Sequence, residues 1–132
     1  MVMREVVAKQ AWDILEKDPQ SVLIDVRTPM EWAQIGLPEL ETIGRSAFCI
    51  TWQPGMEETF LQALAAAAPE KNTKLLFLCR SGMRSYNAGV FAEAVGYEDV
   101  TNIVDGFEDK HGPGTGWRAG GLPCAYRPLS GS

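Results

Sequence analysis

The stretch that decides the fold of this chain is residues 75–85, which are Leu75-Leu76-Phe77-Leu78-Cys79-Arg80-Ser81-Gly82-Met83-Arg84-Ser85. A continuous apolar run ends at the cysteine, a short polar loop follows, and a helical pattern comes next. This order predicts a buried strand over residues 74–78, a turn and a helix start. Cys79 is therefore expected where backbone N–H groups and the positive end of a helix dipole converge. Such surroundings favour the thiolate, which is the nucleophilic form of cysteine.

Helical patterns occur four times along the chain. The first begins near Ala8 and ends at Asp18-Pro19, and the last follows the cysteine loop and stops at Gly96. The second begins in a capping box with Thr28 at the N-cap and Glu31 at N3. The third, which starts near residue 57, is predicted to bury a face made of Leu61, Leu64, Ala65 and Ala68.

Strands are predicted between these helices, over residues 22–26, 74–78 and 100–104, with strand plus loop over residues 44–52. The alternation predicts an α/β fold, a three-layer sandwich in which helices flank a central, mainly parallel sheet. Ligands of such sheets bind beyond the carboxyl ends of the strands, which is where Cys79 falls.

The C-terminal part of the chain is rich in glycine and proline from Asp105 onward. This composition predicts a loop with one helical turn around Trp117 and a frayed end after Pro123. We expect one domain over residues 1–124 and a flexible tail over residues 125–132.

Composition narrows the functional classes. The chain has 132 residues, 45% of them apolar, and a net charge of −5, which argues against general nucleic-acid binding. Its three cysteines form an odd set without framework spacing, which favours a reducing compartment. The sequence shows no apolar signal core and no run of membrane-spanning length, so a cytoplasmic protein without a membrane partner is expected.

The loop after Cys79 is predicted to form an anion cradle. Four residues separate Cys79 from Arg84, and a ring this short should turn peptide N–H groups toward the sulfur. Gly82 permits the tight curl, and the guanidinium of Arg84 suits an oxyanion. Arg80 is expected to add positive charge at the rim, and Met83 to line the entrance. The hydroxyls of Ser81 and Ser85 are expected to cap the helix or to donate inward. Plainer alternatives are a surface ion pair for Arg84 and a solvated side chain for Arg80.

With these features the chain resembles the rhodanese family of sulfurtransferases. The matching segments follow the family's order and are Leu23-Ile24-Asp25-Val26-Arg27 with Glu31-Trp32, the loop 79–85, Gly106-Phe107, Gly116-Trp117 and Gly121-Leu122-Pro123. One departure lies after the second helix, where the family's Gly-His-Ile-Pro-Gly-Ala-like segment is replaced by Gln34-Ile35-Gly36-Leu37-Pro38-Glu39. The path of residues 36–41 is therefore left open.

The resemblance implies a persulfide mechanism. Cys79 would take a sulfane sulfur from thiosulfate or from a protein persulfide and pass it to cyanide or a thiol, with no metal or cofactor. It also implies that Asp25 and Arg27 form an ion pair that braces the loop. The donor, the acceptor and the oligomeric state are left open.

Two other classes remain as alternatives. A cysteine phosphatase or arsenate reductase also holds an oxyanion over a thiolate, but its loop has one residue more between cysteine and arginine. A non-catalytic regulatory module usually lacks the cysteine or the arginine that this chain retains. A thioredoxin-type redox role is disfavoured because no second cysteine lies near Cys79.

The remaining reactive side chains are given plainer interpretations. Cys49 and Cys124 are expected to be structural or incidental, with a resolving thiol as the alternative for Cys124. His111, the single histidine, is interpreted as a solvated loop residue or as part of the site mouth. Asp105 is expected to cap a short turn.

Overall fold

The computed structural model describes residues 3–126. Its strands are β1 (Arg4–Val6), β2 (Val22–Asp25), β3 (Leu37–Pro38), β4 (Phe48–Cys49), β5 (Lys74–Leu78), β6 (Asp99–Ile103) and β7 (Cys124–Ala125). Its helices are α1 (Ala8–Lys17), α2 (Pro29–Gln34), α3 (Glu57–Ala67) and α4 (Met83–Ala94), with a 3₁₀ turn at Glu41–Ile43. None of the helices in the described part is both long enough and apolar enough to cross a membrane.

A five-stranded sheet with the order β1-β6-β5-β2-β4 lies at the centre, and all its paired neighbours are parallel. β5 occupies the middle position, which explains its uninterrupted apolar sequence, because a central parallel strand is covered on both faces. The pleat sends Leu75, Phe77 and Cys79 into one core cluster and Leu76 with Leu78 into the other. α3 and α4 contribute to the first cluster and α1 to the second, so the predicted three-layer α/β fold is confirmed.

The local start and stop signals explain the helix boundaries. The Thr28 hydroxyl accepts the Glu31 N–H at 3.3 Å, and the Glu31 carboxylate receives the Thr28 N–H at 3.2 Å, as the predicted capping box requires. α4 ends just before Gly96, whose φ is +109°.

The buried face predicted for α3 is partly wrong. Phe60, Leu64 and Ala68 are buried, whereas Ala65 is exposed and Leu61 is only partly buried. Nearly every position from 60 to 68 is apolar, so periodicity alone does not select one face. The Phe60 ring determines which face is buried, because its centre lies 5.0 Å from the centre of the Trp52 ring in the core.

The segment left open by the sequence pairs with the C-terminal part of the chain. β3 and β7 form an antiparallel ladder in which Leu37 faces Ala125 and Pro38 faces Cys124. Ala125, the first residue of the predicted tail, takes part in this ladder. Residues 127–132 of that tail lie outside the described residues. The turn predicted around Trp117 is present, with the Gly120 N–H donating to the Gly116 carbonyl at 3.0 Å.

Candidate active site

Cys79 follows the last residue of β5, at the carboxyl end of the central sheet. Its side chain is only 1% exposed. The Gly82 N–H donates to its Sγ at 3.1 Å, and α4 begins at the next residue. The sulfur therefore lies beside the positive end of a twelve-residue helix. The sequence predicts that several N–H groups of the loop point inward. In the structure, the Gly82 N–H is a hydrogen-bond donor to the sulfur.

Gly82 is required at this position. Its φ is +105°, and a Cβ added there would lie 2.5 Å from the Val104 carbonyl oxygen. The loop can therefore approach Val104, just after β6, closely enough to direct the Gly82 N–H at the sulfur only because residue 82 has no side chain.

Ser85 lies on the first turn of α4 and faces the sulfur. Its Oγ is 3.2 Å from Cys79 Sγ and 2.6 Å from Oδ1 of Asn102 on β6. The N-cap of α4 is Gly82, and no side chain caps that helix. The capping role predicted for Ser81 and Ser85 is therefore wrong, and the inward orientation is the observed one for Ser85.

Asn102 is a site residue that the sequence interpretation missed. It is 2% exposed, and its Nδ2 donates to the Gly82 carbonyl at 3.1 Å. A signal was present in the sequence, because an amide side chain near the end of a buried strand, between Val100 and Ile103, needs polar partners.

Arg84 pairs with a carboxylate. Its Nη1 and Nη2 donate to the two oxygens of Glu31 on α2, at 2.8 and 2.9 Å. The hydrogen bonds to Glu31 raise the pKa of Arg84 above its usual value. Burial opposes ionisation of Glu31, but Arg84 and the Thr28 donors outweigh it and hold the pKa of Glu31 below its usual value. The ion-pair alternative for Arg84 is thus the observed geometry.

The outer side chains of the loop border two cavities. One, of about 360 Å³, has Arg80 and Arg84 in its wall together with Glu31 and Glu108. Arg80 Nε lies 3.1 Å from a Glu108 oxygen, so its rim charge is also paired. The second cavity, of about 450 Å³, is lined by Ser81, Gly82, Met83, Tyr86, Asn102 and His111 among others.

Two of these lining side chains were singled out from the sequence. Met83 is 68% exposed at the edge of the second cavity. The exposed His111 places Nε2 2.7 Å from the Ser81 carbonyl, so it lies at the mouth of the loop. Because a carbonyl oxygen only accepts, Nε2 is the ring nitrogen that carries the hydrogen of this contact.

Asp25 and Arg27 form the predicted ion pair, and both side chains are fully buried. Arg27 Nε donates to Asp25 Oδ1 at 3.0 Å, and Nη2 donates to Oδ2 at 2.7 Å and to the Gly36 carbonyl at 2.7 Å. The guanidinium also lies 4.2 Å from the centre of the Phe107 ring. Phe107 in turn donates its N–H to the Cys79 carbonyl at 2.9 Å, so the pair supports the segment that holds the cysteine loop.

The other reactive side chains lie away from the sulfur. Cys49 is on β4, and Cys124 is on β7, where the residue is exposed but partial desolvation of its sulfur raises the pKa of the thiol. Asp105 accepts the N–H of Ala8 at 2.8 Å and of Gly116 at 3.0 Å, so it holds the start of α1 against the C-terminal loop. Between residues 3 and 126, no group of three or more His, Cys, Asp or Glu side chains is placed to hold a metal ion.

The fold is that of rhodanese-like domains. A rhodanese-like domain protein from Staphylococcus aureus superposes with a TM-score of 0.64 at 21% identity, covering 96% of this chain and 100% of that one. More narrowly, residues 4–129 match the family described as the STR4 middle domain, and the chain belongs to that family.

Relatives at higher identity cover the whole domain. Crystallised Rv0390 from M. tuberculosis is 36% identical with a TM-score of 0.82, and the match covers 96% of this chain and all of that one. An uncharacterized protein of Rickettsia rickettsii is 34% identical over 128 residues, covering 96% of this chain and 100% of its own length. A Haemophilus influenzae protein named thiosulfate sulfurtransferase GlpE is 26% identical over 123 residues, covering 93% of this chain and 95% of its own.

Proposed function

We propose that this chain is a sulfurtransferase in which Cys79 carries a sulfane sulfur as a persulfide. The observation that carries the proposal is the position of Sγ, which lies at the end of the central strand, beside the α4 N-terminus and 3.1 Å from the Gly82 N–H. A fixed donor and a helix dipole stabilise a negatively charged sulfur, whether thiolate or persulfide. The likeness to a thiosulfate sulfurtransferase agrees with this chemistry.

Loading is a displacement at sulfur. The Cys79 thiolate attacks the outer sulfur of thiosulfate, a new S–S bond forms, and the old S–S bond breaks with its electron pair leaving on sulfite. The product is the Cys79 persulfide anion, and the total charge is unchanged. Because Cys79 is 1% exposed, only a slender tip such as a terminal sulfur atom reaches it.

In unloading, the outer sulfur is again the electrophile, and Cys79 changes from nucleophile to leaving group. An acceptor such as cyanide attacks the outer sulfur, the S–S bond breaks toward Cys79, and the thiolate is regenerated with thiocyanate as product. Two displacements through a covalent intermediate replace one direct transfer. No step requires a metal ion or an external oxidant.

The arginines contribute charge at the rim of the loop. Arg84 and Arg80 are held by Glu31 and Glu108, so neither guanidinium is free to follow a substrate. We assign the direct stabilisation of sulfur to the Gly82 N–H and the helix terminus. In this proposal the arginine side chains orient an entering anion at the wall of the smaller cavity.

Intact-protein mass spectrometry tests the proposal. Purified protein treated with thiosulfate without reducing agent should gain one sulfur atom, and cyanide should remove it. Peptide mapping should place the sulfur on Cys79, and the Cys79→Ser variant should gain none. Cys124→Ser is the matched control, because it removes an exposed thiol outside the loop and should load like the wild type.

A protein persulfide, generated on a cysteine desulfurase with free cysteine, is the second donor arm. Loading from this source alone would identify a protein-fed enzyme. Failure of Cys79 to load from both donors would overturn the proposal and favour a non-catalytic module.

A further inference from the structure

We propose that Asn102 is a positioning residue that decides whether the Ser85 hydroxyl donates away from Cys79 or toward it. Asn102 would thereby restrain ionisation of the thiol that the proposed sulfur transfer needs. The inference rests on the proposed function for its biological meaning and on geometry for its content.

The orientation of the Asn102 amide follows from its partner at Gly82. A backbone carbonyl oxygen can only accept, so the group 3.1 Å from the Gly82 oxygen must be the Asn102 –NH₂. The amide oxygen Oδ1 then faces Ser85 Oγ, 2.6 Å away. The –NH₂ and the oxygen of the Asn102 amide therefore each have a hydrogen-bond partner, and the residue is only 2% exposed.

The position of the Ser85 hydrogen follows in turn. The Asn102 Oδ1 atom can only accept, so the Ser85 hydroxyl must donate its single hydrogen to that oxygen. Sγ lies 3.2 Å from the Ser85 oxygen, and the hydrogen in that contact must then come from the thiol. In the proposed network the S–H of Cys79 donates to Ser85, and the Ser85 hydroxyl donates to Asn102.

Ionisation of Cys79 reverses one link of this chain. A thiolate has no hydrogen, so the Ser85 hydroxyl must rotate and donate to Sγ. Asn102 Oδ1 then loses its donor in a buried place, and this loss costs free energy. Asn102 consequently favours the thiol through Ser85, whereas the Gly82 N–H stabilises the thiolate independently of the rotation.

The charged groups around the loop do not enter this switch. Arg84 pairs with Glu31 on α2, Arg80 pairs with Glu108, and Arg27 pairs with Asp25 after β2. His111 donates to the Ser81 carbonyl from the open side of the loop. Their contribution to the ionisation of Cys79 is common to the variants below and cancels in the comparison.

A double-mutant cycle tests the inference. The ultraviolet absorbance of the Cys79 thiolate is titrated in wild type, Asn102→Ala, Ser85→Ala and the double variant, each as a difference from the same protein carrying Cys79→Ser. Asn102→Ala should lower the pH of half-ionisation, with about a tenfold larger thiolate fraction below the midpoint, because the hydroxyl is freed for the thiolate. Ser85→Ala should raise that pH.

The decisive comparison is the effect of Asn102→Ala when Ser85 is absent. Asn102→Ala also releases the Gly82 carbonyl, and the Ser85→Ala background measures that effect alone. The downward shift should appear only when Ser85 is present. Equal shifts in both backgrounds, or no downward shift with Ser85 present, would overturn the role of Asn102.

Asn102→Leu is the second variant, because its volume fills the core if the alanine variant does not fold. It should show the same Ser85-dependent downward shift, and a circular dichroism melt confirms that the fold is retained. The readout needs no sulfur donor, so its failure is distinguishable from failure of the proposed function. If Cys79 loads but the cycle shows no coupling, only the Asn102 inference is lost.

Discussion

Replacing Asp25 with asparagine should lower the free energy of unfolding by about 3–5 kcal/mol, because the change leaves the Arg27 charge buried without a counter-charge. Both side chains are 0% exposed. The Asp25 carboxylate accepts the Arg27 backbone N–H at 3.1 Å, Nε at 3.0 Å and Nη2 at 2.7 Å. Asparagine keeps the volume, so the loss measures charge and hydrogen bonding rather than a cavity.

The size of this effect can be compared with the whole stability of a domain. Native domains are typically stable by only about 5–15 kcal/mol, so a loss of this size removes a large share. For a chain of this length it corresponds to a fall in Tm of roughly 10–20 °C. The Gly36 carbonyl and the Phe107 ring also contact the guanidinium, but neither carries a negative charge that could replace Asp25.

Equilibrium unfolding in urea, followed by tryptophan fluorescence, measures the change. Asp99→Asn is the matched control, because it removes a carboxylate from an ion pair whose Arg4 side chain is 63% exposed. That control should cost less than about 1 kcal/mol. A double variant, Asp25→Leu with Arg27→Met, should recover much of the loss by removing both charges. If Asp25→Asn cost no more than Asp99→Asn, the assignment of a buried, mutually dependent pair would be wrong.

Three further predictions concern the loop and its support. Gly82→Ala should destabilise the fold and prevent loading of Cys79, because of its φ of +105° and a backbone oxygen 2.5 Å from the new Cβ. Gly55→Ala is the matched control, because Gly55 has a φ of +89° but an added Cβ would meet no atom within 4 Å. If Gly55→Ala lowered the Tm as much as Gly82→Ala, the clash at residue 82 would be contradicted. Thr28→Ala should lower the free energy of unfolding by about 1 kcal/mol through loss of the α2 cap, and unchanged urea curves would refute this. The pKa of Glu31 is lowered in the fold, so its ion pair with Arg84 adds stability at pH values above 4.5, the ordinary pKa of a glutamate. This contribution is lost as the pH falls through the pKa of Glu31 in the folded protein. The stability difference between wild type and Glu31→Gln should therefore shrink in acid, and a difference independent of pH would count against the pair.

Much of this architecture could be predicted because its signals are local. The capping box at Thr28, the apolar run of β5 and the glycine after α4 each act within a few residues, where backbone sterics and hydrogen bonding select the conformation. The Asp25–Arg27 ion pair is implied by the family resemblance rather than by a local pattern, and the structure buries both side chains.

The sequence by itself therefore determined the alternation of elements, the layered fold and the place of Cys79 at the end of a strand. Only the tertiary structure decided that Arg84 is held by Glu31, 53 residues away, that Asn102 stands behind Ser85, and that β3 finds its partner in β7. Pairings of this kind depend on how strands order themselves in a sheet and on which carboxylate or amide packing brings within hydrogen-bonding distance. No local pattern carries that information, because the free energy that selects those partners arises only when the distant segments are packed together.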